Sequence, residues 1–366
     1  MDYKSRLKGR LINRGRELGF SIVRVTEPKP FELWSKGIQK RKELDPDTAN
    51  TWDRRGMSAD PKAFLPEVRS LVVAAYPYKP YPLEFQKGFG SYSAHYRVYP
   101  RSRKAAGELS KILAEEGYKA VVDPPLPAKA AALRAGVGYF GKNGLIHTEE
   151  HGSWITLHMI LTDAPLPYDP PGDKLSDCGS CTACIKSCPT GAIAEDGIII
   201  PSRCIRFHMG SSELIPVDIR DKIGPRILGC DGCQISCPRN IKSYKEAAVP
   251  PFEEIEPFDI RAILTEWKSG LKKRLERVGS LVGQNYARAQ KILSMAVLAA
   301  GNSNDKSFIP LLKETLQHPH PPIRGHSAWA LGKLGGEESK RILLHALEGE
   351  KDPEIKKEIQ NALKCI

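Results

Sequence analysis

Two short cysteine runs constrain this chain more than any other feature of it. They read Cys178-Gly-Ser-Cys181-Thr-Ala-Cys184-Ile-Lys-Ser-Cys188-Pro189 and Cys230-Asp-Gly-Cys233-Gln-Ile-Ser-Cys237-Pro238. The first is a C-x2-C-x2-C-x3-C-P pattern, in which three thiolates wrap one 4Fe–4S cube and the fourth serves a second cube. The second run keeps the last three cysteines of that pattern, and Cys204 supplies the missing member. The assignment is therefore Cys178, Cys181, Cys184 and Cys237 on one cluster, with Cys188, Cys204, Cys230 and Cys233 on the other. Structural zinc takes four ligands, usually as two separated pairs, and disulfides need an oxidising compartment. A doubled run ending in Cys-Pro fits two iron cubes better than either. Only Cys365 among the 9 cysteines lies outside this stretch, and it reads as an idle thiol.

The 366 residues around the runs suffice for two or three domains. Residues 1–165 alternate helix and strand and read as an α/β (α+β) domain. Leu7, Leu11 and Leu18 share a helix face, and strands are expected at Phe20–Val25, Ser70–Tyr76, Tyr118–Asp123 and Ser153–Leu161. Between them, 26–68 is polar and carries Arg54 and Arg55. A helix is expected from Ser102 to Glu116, burying Ala106, Leu109, Ile112 and Leu113, and another over Ala128–Ala135. Gly136, Gly138 and Gly141 are spaced as G-x-G-x-x-G but follow a helix instead of a strand, which fails the context of a dinucleotide site. A glycine-rich loop that lets a bulky cofactor approach the backbone stays open.

Residues 166–245 read as a ferredoxin-like domain holding both clusters, with a short helix near Val217–Ile223. Residues 250–366 read as an α-solenoid. Pro321-Pro-Ile323-Arg324 recurs as Pro353-Glu-Ile355-Lys356, and Ala289–Gly301 is a degenerate earlier copy, the pattern of HEAT-like helix pairs. Arg324 and Lys356 hold the same place in the repeat and suggest a basic ridge. The N-terminus lacks the apolar stretch of a signal peptide, and the longest apolar runs are strand-length. A cytoplasmic protein with no membrane partner is expected. Its net charge of +12 favours a polyanion, of which nucleic acid is the commonest.

At residue level the chain resembles the epoxyqueuosine reductase family. The resemblance runs through Val121-Val122-Asp123, Arg134-Ala-Gly136-Val-Gly138-Tyr-Phe-Gly141-Lys142-Asn143, Gly152-Ser153-Trp154 and Asp163-Ala-Pro165. It continues through the cysteine run, Arg203-Cys204-Ile205, Gly224-Pro225-Arg226, and Ala328-Trp329-Ala330-Leu331-Gly332-Lys333 in the repeats. It implies a cobalamin-dependent (vitamin B12) reductase that turns epoxyqueuosine into queuosine at the tRNA wobble position, its two 4Fe–4S clusters relaying electrons to Co(I). Asp123 matches the family's proton donor, and Lys129, Gly141, Lys142, Asn143 and His147 are the expected cobalamin contacts. The implied partners are the tRNA anticodon loop and an external single-electron donor, with the chain a monomer. His158, on a strand face with Trp154, Thr156 and Ile160, reads as a core histidine. Two departures stand out. Tyr96-Arg-Val-Tyr99-Pro-Arg replaces the family's Asp-Tyr-His, and the arginine expected before Asp60-Pro61 is displaced to Arg54-Arg55 or lost. Two other readings fit the same residues: a corrinoid iron–sulfur reductase of a small molecule, and a non-catalytic iron–sulfur electron-transfer module.

Overall fold

The structure, a computed structural model, describes residues 2–53 and 56–366, with the side chains of Trp52 and Asp53 left aside. The displaced Arg54-Arg55 pair lies outside the described residues. The chain divides into two compact units, neither contiguous in sequence.

The first unit comprises residues up to Pro80, Arg97–Ser202 and Gly232–Ala247. Its centre is a sheet of β1 (Ile22–Thr26), β2 (Ser70–Pro77), β3 (Ala120–Val122) and β4 (Ile155–Thr162) in the order β1-β2-β4-β3. Every pairing is antiparallel, so helix and strand alternate along the chain without building a parallel sheet, and the domain is α+β. The unbroken apolar run of β2 is explained by cover on both faces. Val72, Ala74 and Tyr76 pack one way, with Leu7 and Leu11 of α1 (Tyr3–Glu17) and Ala105, Ala106, Leu109 and Leu113 of α2 (Ala94–Glu115). Leu71, Val73 and Ala75 pack the other way, with Ala131 and Ala132 of α3 (Ala128–Arg134). Helix α2 begins eight residues before the expected Ser102 and runs through Pro100. A proline removes one amide donor, and the buried face beyond it holds the helix together regardless.

The second unit comprises Tyr81–Tyr96, Arg203–Asp231 and Ala248–Ile366. Its helices include α4 (Leu271–Val282), α5 (Ala289–Asn302), α6 (Ile309–Thr315), α7 (Pro321–Leu334), α8 (Glu337–Gly349) and α9 (Pro353–Leu363). The repeat sets a recurring close approach. A Cβ on Gly301 of α5 would lie 2.8 Å from the Ala330 methyl of α7, and one on Gly332 of α7 would lie 2.8 Å from that of Ala362 on α9. Small residues at these crossings let successive helices touch backbone to backbone. The segment between Cys204 and Cys230 contributes Ile205, Met209, Ile215, Ile219, Ile223 and Ile227 to the same core, with its helix at Val217–Ile223 as expected. Arg220, 1% exposed, ties that helix to the solenoid through a 2.6 Å ion pair with Glu358. Arg324 is no free ridge cation: it grips Glu350 through two bonds of 2.7 and 2.8 Å and donates to the His318 carbonyl. Among the described residues no helix is long and apolar enough to cross a membrane.

Candidate functional site

The first unit brings Cys178, Cys181, Cys184 and Cys237 together. Cys184 lies in the short helix Ala183–Ser187, which packs against the helix Gly232–Ile235 just before Cys237. Burial pushes the Cys184 thiol above its ordinary range, and the neighbouring Cys237, Cys178 and Cys181 push it further. Burial raises Cys237 too, with Cys178 and Cys181 adding to it. These couplings place Cys184 and Cys237 near Cys178 and Cys181 within the unit. All nine cysteines are free thiols, so the disulfide alternative has no support here. Cys188 and Cys233 belong to the same unit, whereas Cys204 and Cys230 belong to the second.

The Gly-Lys-Asn turn braces this cysteine loop. It closes a hairpin of Tyr139–Phe140 against Ile146–His147. The Lys142 amide donates to Sγ of Cys178 at 3.4 Å, and Lys142 Nζ donates to the carbonyls of Gly179 at 2.8 Å and Cys181 at 3.0 Å. Asn143 Nδ2 donates to the Cys233 carbonyl at 3.3 Å. Gly141 is glycine because a Cβ would meet His147 Nε2 at 2.5 Å and Asn143 Oδ1 at 2.7 Å. Lys129 reaches the turn from α3, donating to the Gly144 carbonyl at 2.6 Å.

His147 is buried and stacks on Tyr139 with centroids 5.9 Å apart. Its Nε2 lies 3.2 Å from Asn143 Oδ1, an acceptor already taken by the Leu145 amide, so Nε2 carries the hydrogen. Its Nδ1 is buried with no partner. Burial, helped by the Arg239 charge, holds the imidazole down to about 4.

Sequence reasoning missed the brace on the far side. Asn240 Oδ1 accepts from the Ser153 amide at 2.9 Å, and its Nδ2 donates to Ser153 Oγ and to the Gln234 carbonyl, both at 2.8 Å. Gly152 makes room, since a Cβ there would lie 2.1 Å from Asn240 Oδ1. The signal was present in Gly152-Ser153-Trp154, but its buried polar partners lie some eighty residues away. Trp154 is 1% exposed, and its Nε1 has no partner.

Asp123 ends β3 with φ +48°, a left-handed conformation that few non-glycine residues adopt. Its Oδ1 accepts from the Met159 amide at 3.0 Å, and its Oδ2 lies 2.7 Å from His158 Nδ1. Two bonds to the carboxylate hold the residue in that conformation.

An antiparallel α+β unit that carries the Cys-Pro-ended cysteine runs, beside a helical-repeat region, defines an iron–sulfur redox protein. Residues 177–240 match a 4Fe-4S double cluster binding domain, and residues 286–364 match HEAT repeats. An epoxyqueuosine reductase from Listeria monocytogenes is 30% identical over 376 residues, covering 98% of this chain and 97% of that one. One from Bacillus cereus is 29% identical over 380 residues, covering 100% and 99%. The chain belongs to the epoxyqueuosine reductase family. Among solved structures, that of Bacillus subtilis, with its catalytic aspartate loop swung out of the active site, superposes with TM-score 0.84 at 29% identity over 99% of both chains. An epoxyqueuosine reductase holding an epoxyqueuosine-modified tRNA-Tyr stem loop gives 0.80 at 30% identity over 98% of both.

Proposed function

We propose that this chain reduces epoxyqueuosine to queuosine at the tRNA wobble position. The observation that carries this reading is that one compact unit holds Asp123 together with all four cysteines assigned to one cluster, a proton carrier and an electron carrier. Opening an epoxide to the alkene breaks two C–O bonds, consumes two electrons and two protons, and releases water. Electrons enter through the clusters from an external single-electron donor. Asp123 stands within the family's aspartate motif and supplies a proton to the departing oxygen.

Cys178, Cys181, Cys184 and Cys237 hold one cluster, with Cys184 buried, Cys178 and Cys237 half-buried and Cys181 at the surface. Cys188, Cys204, Cys230 and Cys233 hold the other, by the spacing of the two runs. The three ranges 1–165, 166–245 and 250–366 remain the proposed functional modules, although the compact units redistribute their residues.

Cobalamin is the proposed electron acceptor, and the fit of the expected contacts is uneven. Lys129, Lys142 and Asn143 spend polar atoms on the Gly-Lys-Asn turn and the cysteine loop. His147 Nδ1 and Trp154 Nε1 are buried and unpartnered, and a bound group would satisfy them. His147 and Trp154 would therefore hold it, with Gly141, Lys142 and Asn143 as the frame behind. When bound, cobalamin supplies a metal that takes electrons one at a time and delivers them to carbon. His147 meets it as a neutral ring, and its fixed Nε2 hydrogen leaves the Nδ1 lone pair as the only free ring atom.

The charge of +12 suits tRNA, whose anticodon loop offers unpaired bases. A cytoplasmic monomer is the proposed setting. The test is anaerobic reconstitution with an epoxyqueuosine-containing RNA stem loop. The expected result is about eight irons per chain and conversion to queuosine, lost in Asp123→Asn with iron and corrinoid content unchanged. Conversion of a free small epoxide but not of the RNA would assign the chain to another substrate.

A further inference from the structure

Behind Asp123 lies a buried polar chain that the reading above leaves unused. His158 on β4 has a fully buried side chain. Its Nδ1 lies 2.7 Å from Asp123 Oδ2, and its Nε2 lies 2.8 Å from Ser102 Oγ on α2. Ser102 Oγ also accepts from Thr156 Oγ1 at 3.0 Å and donates to the Tyr99 carbonyl at 3.1 Å. Tyr99 stacks over the imidazole with centroids 5.4 Å apart, and Phe20 meets it edge-on at 6.1 Å. Among the described residues Asp123 is the only charged group in hydrogen-bond contact with the ring, and its own side chain is 13% exposed.

The hydrogens of this chain can be placed in two ways. A carboxylate only accepts, and Oδ1 already takes the Met159 amide, so Nδ1 carries a hydrogen toward Oδ2. Ser102 has one hydroxyl hydrogen. If it goes to the Tyr99 carbonyl, Nε2 either donates to Oγ, which makes the ring an imidazolium, or faces the Thr156 hydroxyl 3.5 Å away, which leaves it neutral. If it turns to Nε2, the ring is neutral. The two states differ by one proton and a hydroxyl rotation, with no heavy atom displaced. Aromatic rings cover the imidazole, and Asp123 is its route toward solvent.

We propose that His158 is a positioning and proton-storing residue that acts through Asp123. This rests on the reading of Asp123 as proton donor. The resting ring is cationic. Asp123 Oδ2 takes the Nδ1 hydrogen and passes that proton to the departing oxygen, ending again as a carboxylate. The ring is left neutral, with its remaining hydrogen on Nε2 donated to Ser102 Oγ. One proton leaves the ring and one reaches the oxygen, while the two electrons come through the clusters. A second proton follows when the ring is recharged, and together they release the oxygen as water.

The test uses the reconstituted holoenzyme with histidine-specific 15N labelling, and single-turnover and steady-state conversion of the RNA stem loop. The ring signal is assigned by its loss in His158→Asn, whose side-chain amide still donates to Asp123 but stores no proton. The expected results are an imidazolium signal in the resting wild type and a kcat lowered about a hundredfold in His158→Asn, with KM for RNA unchanged. A neutral resting ring, or an undiminished kcat, would overturn the proposal. Asp123→Asn separates the two layers. If it turns over normally, the donor reading itself fails. If it is inactive while His158→Asn is normal, only the proton store fails. Should His158→Asn not load its clusters, Ser102→Ala decides. It removes the nearer Nε2 partner and leaves the Thr156 hydroxyl at 3.5 Å, and a lowered kcat at unchanged KM supports the store, whereas an unchanged kcat overturns it.

Discussion

Acid should weaken this protein through His147, and the size of the effect follows from its burial. The imidazole sits at about 4 against an ordinary 6.5, with burial as the main cause. Between those values the unfolded chain takes up a proton that the folded chain refuses. The contribution of His147 to stability is therefore complete above the unfolded value and is lost as pH falls toward the folded one. Linkage puts the loss between about pH 7.5 and about pH 5 at roughly 2 kcal/mol. His147→Gln keeps a donor for Asn143 Oδ1 but does not titrate, so it should escape that loss. Urea unfolding of the anaerobic holoprotein at both pH values measures the difference. His326, also depressed by burial, carries the same sign in both proteins and cancels in the comparison. The refuting result is a fall in stability equally steep in wild type and His147→Gln. That would mean the imidazole is charged in the folded loop or solvated despite its 1% exposure.

Asn240→Ala strands the buried Ser153 amide and should cost about 1 to 3 kcal/mol, read as a lowered thermal midpoint together with reduced iron per chain. Arg220→Ala leaves Glu358 without its buried partner and should cost about 3 to 5 kcal/mol, whereas the apolar pair Arg220→Met with Glu358→Leu should recover most of it in urea titration. Gly332→Val puts new carbon into the α7–α9 contact, where a Cβ already approaches the Ala362 methyl at 2.8 Å. It should cost about 1 to 3 kcal/mol by the same titration.

Features written in neighbouring residues were legible in the sequence. The cysteine runs, the α3 helix, the Val217–Ile223 helix and the solenoid repeat all depend on spacings within a turn or a short loop. Residues whose meaning depends on a distant partner were not. Lys142, Asn143 and Lys129 looked like arms for a cofactor, yet their polar atoms meet carbonyls of the cysteine loop and of their own turn. The Cys204–Cys230 segment looked like part of the cluster domain because cysteines bound it, but its isoleucines obey the hydrophobic effect and join the core of the helical unit. Asp123 was found by pattern, while the hydrogen-bonded chain behind it was invisible. His158, Ser102 and Thr156 each read as ordinary polar residues on a strand or helix. The register of β4 against β3 sets His158 beside Asp123, and its side of the sheet faces Ser102. A local pattern can thus point to a candidate such as Asp123, but the buried polar contacts behind it emerge only when the sheet is assembled. Here the helix residue at the end of that chain lies two positions beyond Pro100, in the stretch where the expected Asp-Tyr-His is absent, so the same departure that removes a familiar motif carries Tyr99 and Ser102 onto His158.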